Sequence, residues 1–77
     1  MDIEKMLIDV QGQQVQVDIV HFENEIAYLL APGVPWSRDI RRQIKAVVPH
    51  GYQLGRVFRQ KTIYNEIQCC VEAQLLI

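Results

Sequence analysis

The sequence predicts an α+β fold in a single domain over residues 1–77. An antiparallel sheet of four to five strands is packed by one helix, in the order β-β-(β)-α-β-β. Three observations carry this prediction. Val15, Val17 and Ile19 alternate with Gln14, Gln16 and Asp18, the two-residue period of a half-buried strand. Ile63, Ile67, Cys69, Val71, Ala73, Leu75 and Ile77 alternate in the same way with Glu66, Gln68, Glu72 and Gln74. Between these stretches, Ile40, Ile44, Val47 and Val48 recur at helical spacing.

The first strand candidate is residues 3–10, with Met6, Ile8 and Val10 on one face and Ile3 and Leu7 on the other. Gln11-Gly12-Gln13 reads as a turn into the second strand, and Glu23-Asn24-Glu25 as the turn out of it. Residues 26–31 read as a third strand or the start of a helix, the strand being favoured. Ala31-Pro32-Gly33-Val34-Pro35 then excludes regular structure. Ser37 caps the helix, Asp39 favours the positive end of its dipole, and Pro49 stops it. Residues 52–59 read as a strand with Gly55 at a bulge. Residues 63–77 read as one strand, about 50 Å long if straight, against a domain width of about 30 Å. The expected core is Val15, Val17, Ile19, Ile40, Ile44, Val47, Ile67, Cys69 and Val71. Several small α+β folds share this element order, ubiquitin-like ones among them, and no residues here carry a family resemblance.

Apolar residues make up 49% of the chain and charged ones 22%, a globular rather than disordered balance. The longest apolar run, residues 26–36, spans 11 residues and contains two prolines, too short and too broken for a membrane helix of about 20. Cys69 and Cys70 are adjacent and cannot staple the fold, and Met1-Asp2-Ile3-Glu4-Lys5 is acidic where a secretion signal is basic. A reducing, cytoplasmic setting is expected. Ser37 and Thr62 are the only aliphatic hydroxyls, which argues against serine or threonine nucleophile chemistry.

The near-neutral formal charge of −1 hides a division along the chain. Residues 1–35 carry Lys5 against Asp2, Glu4, Asp9, Asp18, Glu23 and Glu25. Residues 36–61 carry Arg38, Arg41, Arg42, Lys45, Arg56, Arg59 and Lys61 against Asp39 alone. On a helix, Arg38, Arg41, Arg42 and Lys45 form one ridge, turned away from the Ile40/Ile44/Val47 stripe. Such a ridge is an ordinary solvated face, a dock for an acidic protein or a contact for nucleic-acid phosphates. Tyr52, Phe58 and Tyr64 are the aromatics near enough to stack on bases.

Little else points to chemistry. His21, Glu23 and Glu25 alternate on one side of an extended segment, a weak general-base pattern that reads better as solubilising charge. Cys69 and Cys70, with His21 and His50, have ligand chemistry but not ligand spacing, because neighbours on a strand point to opposite faces. Trp36, the single tryptophan, is expected to pack over the helix start. Gly12 and Gly33 stand alone, so no phosphate-cradling loop is present. The resulting expectation is a non-enzymatic binding module without metal or cofactor and without a membrane segment. It is expected to be homodimeric, with Val71, Ala73, Leu75, Leu76 and Ile77, or the sheet face beside them, at the interface. The alternative is nucleic-acid binding through Arg38, Arg41, Arg42 and Lys45, supported by Arg56 and Arg59.

Overall fold

The computed structural model describes residues 2–76. The fold is α+β, as the sequence predicts. Its elements are β1 (Asp2–Val10), β2 (Gln13–His21), β3 (Glu25–Leu30), α1 (Arg38–Lys45), β4 (Tyr52–Leu54), β5 (Phe58–Lys61) and β6 (Ile67–Leu75). All strand pairs are antiparallel, in the order β1-β2-β3-β6-β4, with β5 also on β6. β4 and β5 therefore occupy one lane beside β6.

Local chemistry sets each boundary. Gln11 and Gly12 both adopt positive φ, at 51° and 84°, the mirror-image turn that suits the twist of a two-residue hairpin. The expected bulge lies between β4 and β5. Leu54 faces Ala73 and Phe58 faces Cys70, so three residues on one side span two on the other. At that bulge the Gly55 amide donates to the Glu72 carbonyl at 2.8 Å, and a Cβ at Gly55 would stand 3.3 Å from the same oxygen. Ser37 has extended backbone and its hydroxyl accepts from the Ile40 amide at 3.2 Å, the predicted N-cap.

One side of the sheet faces α1 and forms the core. Val17, Ile19, Ile40, Ile44, Cys69 and Val71 are buried there as expected, joined by Ile8, Ile26, Tyr28, Leu30, Leu54 and Ala73. Val15 is partly buried against this cluster, and Trp36 packs on it beside the helix start. Two expected core residues are not core. Val47 is 47% exposed, because the helix ends at Lys45 and the Val47 amide bonds back to Ile44, off the helical stripe. Ile67 is 54% exposed, because it opens β6 where no helix lies above it.

The long final strand is also corrected. Residues 62–66 form the β5–β6 loop, in which the Thr62 hydroxyl accepts from the Tyr64 and Glu66 amides. Asn65 takes positive φ, 63°. Ile63 is 92% exposed in that loop, and β6 itself has nine residues. It fits within a molecule of 35 × 28 × 21 Å, with a partner strand on each side. Among the described residues the expected excess length of residues 63–77 is absent, and β6 lies between β3 and the β4–β5 lane.

Ile44 is fully buried at the centre of the helix–sheet contact. Ile44→Ala should lower stability by about 2–5 kcal/mol in urea unfolding, whereas Val47→Ala should change it by about 0.5 kcal/mol or less.

Candidate interaction surface

The predicted basic ridge is divided by the fold. Arg41 turns toward the β4 lane, where its guanidinium donates to the Gly55 carbonyl at 2.7 Å and the Leu54 carbonyl at 3.3 Å. Arg42 pairs with Asp39 one turn back, and this bond holds the Asp39 carboxyl below its ordinary value. Arg38 and Lys45 have no acidic partner among the described residues, nor do Arg56, Arg59 and Lys61. The cations free to meet an anion thus lie on the outer side of α1 and along the β4–β5 lane.

α1 guards both edges of the sheet. On the side opposite Arg41, the Gln43 carboxamide donates to the Asp9 carbonyl at 2.6 Å and accepts from the Asp9 amide at 2.9 Å. Gln43 imitates one residue of a neighbouring strand and occupies the outward backbone groups of Asp9. Antiparallel alternation makes Ile3, Lys5 and Leu7 the other outward-pointing residues of β1. Lys5, in the middle of that row, is the kind of charge that discourages edge pairing.

Among the described residues, nothing forms a second layer on the face turned away from α1. Lys5, Asp18, Leu29, Cys70 and Phe58 lie in register across it, and Ile3, Val20, Ala27 and Glu72 form the next row. An apolar stripe therefore runs diagonally from Ile3 through Val20, Ala27 and Leu29 to Phe58. Ile3 is 61% exposed and Phe58 42%. Cys70 lies within this stripe and is buried, although it points away from the core. That burial holds its thiol above its ordinary value, with Cys69 and Glu72 adding to the shift. Beside the stripe, desolvation raises the Glu72 carboxyl, as do the hydrogen bond to and the charge of Glu25.

The expected interface residues fall elsewhere. Val71 and Ala73 are fully buried in this chain's own core, so their side chains are closed to a second copy. Leu75 is half-buried opposite Tyr52, Leu76 is 60% exposed, and Ile77 lies outside the described residues. Cys69 and Cys70 are free thiols on opposite faces, and no cluster of metal-ligating side chains occurs among the described residues. His21 does not join Glu23 and Glu25. Its Nε2 stands 2.9 Å from Glu4 Oε1, but out of line for a hydrogen bond. Tyr28 lies nearby, its hydroxyl pKa raised by burial first and then by Glu4 and Tyr52.

No helix among the described residues is long and apolar enough to cross a membrane. Comparison of the chain with protein-family models, curated proteins and solved structures finds no match.

Two tests follow from these contacts. Gln43→Ala should expose the Asp9 amide to hydrogen exchange and cost about 1–2 kcal/mol for the bonds lost, while the Lys5 and Leu7 amides exchange freely in both proteins. Protection of Asp9 unchanged in the variant would refute the edge latch. For Glu72, the folded chain keeps its proton to higher pH than the unfolded chain, so its ionisation lowers stability as pH rises above the ordinary glutamate range. Relative to the parent, Glu72→Gln should therefore gain in unfolding midpoint between about pH 3 and about pH 7.

Proposed function

We propose that this chain is a non-enzymatic interaction module that works as a homodimer, joined through the open face of its sheet. The observation that carries this reading is the apolar stripe on a face with nothing packed over it among the described residues, between two edges that α1 guards. Five lanes at about 4.8 Å and about seven residues at about 3.4 Å give a face of roughly 600 Å². Two such faces bury about 1,200 Å² in total, the lower end for a specific complex. Self-complementary packing about a two-fold axis closes the assembly at two copies. A reducing, cytoplasmic setting suits two free thiols, one of them within the proposed interface.

The test is mass in solution. The parent, 9.0 kDa as a monomer, should double in mass with a dissociation constant of about 1–100 μM. Ile3→Glu together with Phe58→Glu should leave a folded monomer, because both side chains are exposed in the single chain. A parent that stays monomeric at about 1 mM would end this reading.

A second reading is favoured by one specific observation, the set of cations without acidic partners. Tyr64, 78% exposed in the β5–β6 loop, supplies an aromatic near Arg59 and Lys61. On this reading the module binds nucleic-acid phosphates. Reversing Arg38 and Lys45 to Glu should then weaken retention on DNA regardless of sequence and flatten its salt dependence. No retention of the parent at low salt would dismiss it.

A further inference from the structure

α1 has eight residues, about 12 Å of helix, and does not reach over the whole inner face of the sheet. Residues 31–37 close part of what remains. The Gly33 amide donates to the Ile67 carbonyl at 2.8 Å and pins this segment to the start of β6. Between the segment and the β5–β6 hairpin lies a cleft of about 300 Å³. Val34, Pro35 and Trp36 line one side, Ile67 and Cys69 the other, and Arg59 also lines it. The lining is therefore apolar except for one cation. Lys61 follows two residues along on the same face of β5. Neither cation has a carboxylate partner among the described residues.

These features select a ligand by elimination. A cation is repelled by Arg59 and Lys61. A neutral hydrocarbon fills the apolar walls and leaves the guanidinium without an anion. A nucleic-acid phosphate reaches the guanidinium and leaves the walls bare. We infer that the cleft binds a small apolar carboxylate, its hydrocarbon body against Trp36, Val34 and Ile67 and its carboxylate on the planar fork of Arg59. The volume is at the lower end for small-ligand sites, which suits a short or medium chain rather than a long lipid. This site is separate from the open face of the sheet and does not rest on the dimer.

Trp36 is the only tryptophan in the chain and it lines this cleft, so its emission reports occupancy directly. The probes are octanoate, octanol and octylammonium, titrated against the intact chain. Octanoate should shift the emission saturably, and the other two should bind at least about tenfold more weakly. Arg59→Gln, at an exposed position, should bring octanoate down to the level of octanol with the unfolding midpoint unchanged. Ile67→Ala should weaken all three probes alike. The inference is overturned if octanoate gives no saturable shift, if octanol matches it in the parent, or if Arg59→Gln leaves octanoate binding intact.

Discussion

The structure depends on one short helix, the only regular layer over the sheet among the described residues. α1 offers about two turns to a sheet five lanes wide. Ile40 and Ile44 take the centre and are fully buried there. The neighbouring positions on the helix, Arg41 and Gln43, cannot reach the core and instead extend to opposite sheet edges. A helix that began earlier would have covered the cleft at Trp36. With α1 beginning only at Arg38, the segment before the helix has to complete the roof, and it leaves the space bounded by Ile67 and Arg59.

The same limitation explains the fate of the charges. A ridge of four cations on a helix suggests a uniform electrostatic surface, but half of it is used within the fold. Arg41 satisfies backbone carbonyls at the bulge, where the β4 lane kinks and would otherwise leave them to water. Arg42 is held by Asp39. The strand order then separates what is left, with the acidic β1–β2 hairpin at one end of the sheet and Arg56, Arg59 and Lys61 at the other. The polarity of the molecule is therefore a consequence of topology acting on a division already present along the chain.

How much of this was legible follows from the range of each interaction. Ser37, Ile40 and Ile44 announce the helix because capping and periodicity act within one or two turns. The alternation in β2 and the bulge at Gly55 are equally local. The β5–β6 loop was hidden because Ile63 and Ile67 keep the two-residue period straight through it. The contrary signals, the Thr62 hydroxyl and Asn65, are single residues inside a strong pattern. Gln43 and Arg41 read as surface residues because their partners, Asp9 and Gly55, lie 34 and 14 positions away. Cys70 was correctly turned from the core, but its burial depends on Leu29 and Phe58 beside it in register, which no pattern within β6 reveals.

The register of β1 explains why association, on the proposed reading, uses the face rather than an edge. A two-fold pairing of β1 with its copy must oppose outward residues to outward residues, which allows axes at Glu4, Lys5, Met6 and Leu7. An axis at Glu4 sets two glutamates side by side, and one at Lys5 sets two lysines side by side. An axis at Met6 brings Ile3, and one at Leu7 brings Lys5, onto Asp9, whose backbone groups Gln43 already holds. On the other edge, an axis at Gln60 opposes Arg59 to Lys61 of the copy. Each register that would extend the sheet thus meets like charge or an occupied backbone group. At the margin of the stripe from Ile3 to Phe58, Lys5 has Asp18 as its cross-strand neighbour of opposite charge. On the proposed reading, the face that carries the stripe is what remains for a copy to meet.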